Sequence, residues 1–151
     1  MERLLDIKYP VMAALATVGA GLLRLLGGWD ATLQTLVGLM AADYLTGVLA
    51  AGVFRRSPKT SGGGLSSAAG FKGLARKCAV LLGVFLATLL DQATGAGFVR
   101  TAVCLFFAAN EGLSVVENLG LMGVPTPRFV KNMLEVLRDQ QDRKGEEKHE
   151  N

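Results

Sequence analysis

Three observations predict an all-α, multi-pass membrane protein of about four transmembrane helices with a short amphipathic C-terminal helix. Half of the 151 residues are apolar, mean hydropathy is +0.36 and only 19% are charged, whereas soluble domains of this size usually carry more charge. Residues 31–54, "ATLQTLVGLMAADYLTGVLAAGVF", hold a single charge, Asp43, and residues 78–98, "CAVLLGVFLATLLDQATGAGF", hold only Asp91. A bilayer core about 30 Å thick is crossed by about 20 helical residues, so either run suffices, whereas a soluble core helix would be shorter. Between them, residues 55–77 carry six basic residues and no acid, the composition of a cytoplasmic loop beside spans.

The first span is expected over about 11–29, where thirteen apolar or small residues precede Arg24. Arg24 can snorkel to the interface and Trp29 suits the same level. A cleaved signal peptide is the competing reading, but Glu2, Arg3, Asp6 and Lys8 mix charges and the small-x-small site is poorly placed. In the second span, 31–54, Gly38, Ala42, Thr46 and Ala50 recur every fourth residue. In the third, 78–98, Ala79, Gly83, Ala87, Asp91 and Gly95 do the same. Such rows let helix backbones approach closely, within a chain or between chains, and the second and third spans are expected to pack through them. The fourth span is expected over about 101–119. These spans make residues 1–124 a transmembrane domain, and 125–151 a cytoplasmic amphipathic helix and charged tail. Pro125 and Pro127 end the preceding helix. Phe129, Val130, Met133, Leu134 and Leu137 then form an apolar stripe, with Arg128, Lys131 and Arg138 available to anionic headgroups. The stripe suits the inner leaflet or a neighbouring subunit. Beyond residue 139 the charged composition predicts disorder.

Charge fixes the orientation. The loop residues Arg55, Arg56, Lys59, Lys72, Arg76 and Lys77 would form a nucleic-acid patch in another setting. Between two spans they read as topology-setting, with no nucleic-acid partner. No Gly-Lys-Ser/Thr follows the glycines at phosphate-loop spacing, and Gly62, Gly63 and Gly64 read as flexibility. With this loop and both termini in the cytoplasm, fourteen of the sixteen basic residues lie inside, leaving Arg24 and Arg100 outside. A three-span arrangement that leaves 101–119 out of the membrane would export the tail and its six basic residues.

The fourth span contains "ANEGLSVVEN", residues 109–118, with two glutamates and two asparagines. A central charge costs about 2.5–3.5 kcal/mol on insertion scales, against about 0.3–0.6 kcal/mol returned by each Leu, Ile, Phe or Val. A lone helix bearing Glu111 and Glu117 would insert poorly and should depend on partners. Asn110, Ser114 and Glu117 lie at i, i+4 and i+7, and Glu111, Ser114 and Asn118 at i, i+3 and i+7, so the five share one broad face. At about 1.5 Å per residue, Asp43 and Glu111 sit about 15–18 Å from the outer end and Asp91 about 10 Å. No Lys or Arg is expected at those depths, so the three acids are protonated and hydrogen-bonded or face water. As pore-lining groups they would contact water; as packing groups they would glue helices together. Cys78 and Cys104 behave as small hydrophobes, and His149 sits in the charged tail. No nucleophile, metal cluster or cofactor loop is legible, so neither an enzyme nor a cofactor is expected.

The segments "ADYLTGVLAA", "GFKGLARK", "LLDQ", "RTAVCLFFAANEGLSVVENLGLMGVPTP" and "LEVL" occur in an order that resembles the bacteriophage holin family that includes clostridial toxin-secretion holin-like proteins. The likeness covers about residues 36–138, with "NEGLSVVEN" followed by "GVPTP" its most specific part. It implies a small protein of the bacterial host cytoplasmic membrane, in contact with lipid, that forms homo-oligomers and then lesions. Those lesions would release a cell-wall hydrolase, an endolysin, without required direct contact, or a toxin. The rival readings are a small ion channel or transporter using Asp43, Asp91 and Glu111, and a membrane scaffold recruiting a partner through its basic loop and tail.

Overall fold

The computed structural model describes residues 2–60, 62–130, 132–133 and 135–136, with side chains from residue 8 onward. Every regular element among them is helical: α1 (Glu2–Leu25), α2 (Ala31–Gly52), α3 (Ser67–Thr94) and α4 (Val99–Leu121). At about 1.5 Å per residue, the 22 residues of α2 and 23 of α4 reach about 33–35 Å, enough for a hydrocarbon core. Asp30 starts α2 by accepting the Leu33 N–H at 2.9 Å. Ser66 starts α3 by accepting from Ala69, and Gly95 ends it in the left-handed region at φ 69°.

The helices α2, α3 and α4 are long and apolar enough to cross a membrane. The expected fourth crossing, α1, does not join that set. Its helix runs back from residue 11 through Lys8 to Glu2 and carries Arg24 in its last turn, so charge interrupts the apolar stretch at both ends. Among the described side chains, its C-terminal end meets the apolar core through Leu23 and, just past the helix, Leu26. Tyr9, Val11, Met12, Leu15, Val18 and Leu22 are exposed on the isolated chain.

The start of α3 also differs from expectation. Residues 55–77 are not all loop: helix begins at Ser67, and Lys72, Arg76 and Lys77 lie on it. Hydropathy marks where oil begins, but the Ser66 cap and the helix formers Ala68, Ala69, Leu74 and Ala75 decide where the helix begins. Its 28 residues span about 42 Å, so its first turns extend past an apolar core of about 30 Å.

Helix α4 packs against both α2 and α3, its longer contact being with α2, while α2 and α3 touch little. Within one chain, the second and third spans therefore make little contact through their small faces. Arg100 at the start of α4 meets Asp30 beside the start of α2, and Arg56 just past α2 reaches the Leu121 carbonyl that ends α4. Hence α2 and α4 run parallel. Leu33, Leu36, Met40, Val80, Val84, Cys104 and Ala108 form the buried core. All lie in the half of the bundle nearer the Asp30 end.

Gly63 is not there for flexibility. It holds φ +69°, and a Cβ added to it would stand 2.1 Å from the Arg55 carbonyl oxygen. Its carbonyl also accepts the Ser57 N–H at 3.0 Å. Gly63→Ala should destabilise the loop by at least about 1–3 kcal/mol from backbone conformation alone. Limited proteolysis of membrane fractions should cut the loop faster in Gly63→Ala, and at the parent rate in Gly64→Ala, whose added Cβ meets open space.

In the C-terminal region, residues 128–130, 132, 133, 135 and 136 are helical, with Phe129, Met133 and Val136 exposed. The remaining residues assigned to that stripe, Leu134 and Leu137, and the basic residues Lys131 and Arg138 lie outside the described residues.

Candidate functional site

The core half of the bundle is apolar; the other half is not. One helical turn beyond Met40, Asp43 of α2 meets Lys77 of α3, whose Nζ donates to Asp43 Oδ2 at 2.8 Å and also to Glu111 Oε2 of α4. The three side chains are only 11–13% exposed, so this is an ion cluster inside the bundle. Asn118, two turns along α4 from Glu111, is buried and closes its other side. Its Nδ2 donates to Asp43 Oδ1 at 3.1 Å, to the Asp43 carbonyl at 3.3 Å and to Thr46 Oγ1 at 3.1 Å. Thr46 in turn donates to the Ala42 carbonyl at 2.8 Å, and Ser114 stands beside the Asp43 carboxylate.

This corrects the expectation that the acids have no basic partner. Because α3 begins at Ser67, its third turn carries Lys77 to the level of Asp43 and Glu111. Read as a loop residue, Lys77 would have pointed to water. With all three groups ionised, the cluster sums to one negative charge, and one ammonium serves two carboxylates from different helices.

Asp91 does not belong to this cluster. It accepts the backbone N–H groups of Val99 and Arg100, each at 2.9 Å, across the turn that joins α3 to α4. The first N–H groups of a helix have no intrahelical acceptor, so Asp91 caps α4 from the preceding helix. Arg100 is likewise structural. Its guanidinium donates to Asp30 Oδ2 at 2.6 Å and to the Gly28 carbonyl at 3.0 Å, and its Nε to the Leu26 carbonyl. A Cβ on Gly27 would lie 2.5 Å from Arg100 Nε, and Gly27 holds φ +84°. The α1–α2 turn is thus wrapped around the arginine, and no short-range sequence signal announced it.

The polar face of α4 is therefore divided. Glu111, Ser114 and Asn118 turn inward to Lys77 and Asp43. Glu117 is exposed, and Asn110 makes no hydrogen bond among the described residues. The small residues divide too. Gly83 faces Phe107 of α4, where an added Cβ would come within 3.2 Å, and Ala87 is buried, but Ala79 is exposed and Gly38 faces open space. Of the basic residues, Arg55, Arg56, Lys59, Lys72 and Arg76 remain exposed.

A cleft of about 90 Å³ leads to the cluster from the basic loop; Lys59, Thr60 and Ser66 stand at its rim and Asp43, Lys77 and Asn118 line it within. Beyond the cluster lie Met40, Val80 and Ala108 of the apolar core. The bundle therefore has a polar half open to the loop side and, opposite, an apolar core bounded at its far end by the Arg100–Asp30 pair. Among the described residues no cluster of His, Cys, Asp and Glu has the makings of a metal site.

The bacteriophage holin family pattern matches residues 20–139. The chain is 38% identical to an uncharacterised Listeria monocytogenes protein over 127 residues, 83% of this chain and 84% of that one. It is 34% identical over 115 residues to an uncharacterised Clostridium perfringens protein, covering 75% of this chain and 79% of the other. To a probable holin of Bacillus phage phi105 it is 34% identical over 115 residues, 76% of this chain and 79% of its relative. No solved structure matches it.

Proposed function

The chain belongs to the bacteriophage holin family, a membrane protein by its helices, and from that premise we propose that it oligomerises in the bacterial cytoplasmic membrane and opens lesions through which an endolysin or toxin leaves, ending in host lysis. Membership of this family points to a non-enzymatic role. The observation that carries the reading is the polar interior: three spans enclose Asp43, Lys77, Glu111 and Asn118 between them. Charged side chains within spans turn toward a bundle interior or water and mark function. Satisfied within one chain, these groups let the chain rest closed; exposed by separation of α4 from its neighbours, they would line water.

The same contacts weigh against an ion channel or transporter working through free carboxylates. Asp43 and Glu111 share Lys77, and Asp91 holds the start of α4, so each of the three already has a partner.

The attached topology puts the basic loop in the cytoplasm, α1 as a fourth crossing, and both termini inside. Supporting it are the basic residues, thirteen inside against Arg24 and Arg100 outside once Lys77 is placed within the bundle, and the apolar side chains exposed along α1. Whatever α1 does, three crossings by α2, α3 and α4 with this loop inside leave the C-terminal tail inside.

Inducible expression in bacteria, with and without an endolysin lacking a signal peptide, tests the function. Abrupt lysis should require both proteins. Full membrane abundance with no lysis would refute the release function. Single cysteines in a chain lacking Cys78 and Cys104 test the topology: position 29 should label from outside, and positions 8 and 61 should not. External labelling at position 8 would place α1 on the outer surface and reduce the crossings to three.

A further inference from the structure

The group that the intramolecular packing leaves over is Asn110. It lies at the middle of α4, eleven residues from Val99 and eleven from Leu121, about 16 Å from either end at helical rise. That is the centre of the hydrocarbon. Its side chain makes no hydrogen bond among the described residues, and no buried side-chain nitrogen or oxygen among them lacks a partner. The amide therefore reaches the surface of the bundle. No lipid group at that depth can accept from its NH₂ or donate to its carbonyl, and an unpaired amide in an apolar medium costs several kcal/mol. The chain's own polar groups at this level, Asp43, Lys77 and Glu111, are already joined to one another.

We propose that Asn110 is the contact through which α4 meets α4 of a second copy. Three features select another copy of this chain. All copies insert the same way, so their Asn110 side chains reach the same depth without adjustment. A primary amide carries both donor and acceptor and is self-complementary across a two-fold axis along the membrane normal. Phe106 and Asn110 lie at i and i+4 on one line of the helix, so an aromatic ring accompanies the amide one turn outward. Along the same line, seven residues inward, stands Glu117, which is exposed. It is four residues from the end of α4, about 6 Å from the interface. Two facing carboxylates repel, so the helices meet at Phe106 and Asn110 and diverge at Glu117. The contact is centred in the outer half of the membrane, and its inner end is wedged open.

This interface rests on the holin reading only in making oligomers the working form, and the test separates the two. Oxidative crosslinking is done in membranes on the full chain carrying Cys78→Ala and Cys104→Ala, with one cysteine returned at a time. Phe106→Cys, which keeps Asn110, should give covalent dimers; Leu82→Cys on the exposed side of α3 should not. In the chain with its native cysteines, Asn110→Leu should weaken association roughly three- to fifteenfold, the range for interhelical polar contacts in membranes, and Asn110→Gln should keep most of it. Association is read by energy transfer between labelled copies, independently of the cysteine-free background. Crosslinking at 82 equal to that at 106, or ready labelling of position 106 by a water-soluble thiol reagent without dimers, overturns the interface even when lysis is normal. Dimers at 106 in cells that fail to lyse uphold it and refute the release function instead.

Discussion

Lys77→Met should remove most of the folded protein from the membrane fraction. Methionine matches the length of the stem but leaves Asp43 and Glu111 facing each other across the bundle without their shared cation. Breaking a buried ion pair by deleting one partner destabilises by about 3–5 kcal/mol, a large part of a total stability of about 5–15 kcal/mol. The loss should be charge-specific. Adding Asp43→Asn and Glu111→Gln to Lys77→Met removes the stranded carboxylates and should restore abundance, because replacing a whole buried ionic group by neutral side chains is often nearly neutral. Glu111→Gln alone leaves Lys77 with Asp43, a balanced pair, and should be mild. Membrane-fraction abundance and thermal aggregation in detergent check the series. Parent-like behaviour of Lys77→Met in both would mean that the cluster contributes no stability.

The fold class was readable because crossing a bilayer imposes one dominant requirement, about 20 apolar residues, and the runs around Asp43 and Asp91 meet it openly. What hydropathy could not reveal was which side chains meet. Lys77 belongs to a basic run and scores as loop, yet the Ser66 cap starts its helix at Ser67, and that displacement by three turns converts a topology residue into the centre of the site. Asp91 has the same composition signal as Asp43, a lone acid in oil, but the turn after Gly95 folds back and presents it with backbone N–H groups. The division of "ANEGLSVVEN" into Glu111, Ser114 and Asn118 inside and Asn110 and Glu117 outside is equally invisible to periodicity. A broad polar face on a helix flanked by two neighbours is shared among them according to crossing geometry, which depends on small residues such as Gly83 meeting Phe107. Gly63 illustrates the same limit at loop scale: a glycine run resembles flexibility until the Arg55 carbonyl is seen against it.

At the opposite end of the bundle, Arg100→Met should loosen the turn that joins α1 to α2 and free α1 from the other helices. The guanidinium ties Asp30 and the Leu26 and Gly28 carbonyls to the first turn of α4, and hydrogen bonds to charged groups contribute about 1.5–3 kcal/mol each before screening. Asp30 is 48% exposed, so its share is reduced by solvent, and the buried arginine with its two carbonyls carries most of the effect. A net loss of about 2–3 kcal/mol is expected, seen as a lower thermal midpoint in detergent and as faster proteolysis near residue 27. The pH dependence follows from Asp30. Its hydrogen bond with Arg100, then that from the Leu33 N–H, hold its carboxyl below the usual 3.8. A carboxyl lowered by folding lends stability that is fully present above its unfolded value and is lost as pH falls through the folded one. The clamp should therefore hold throughout the neutral range and weaken only below about pH 4. Asp30→Asn removes the titrating group, so the difference in midpoint between parent and Asp30→Asn should be constant from pH 8 to about 5 and shrink as pH falls below about 4. A difference that grows on acidification would mean that the carboxylate does not stabilise the turn through Arg100.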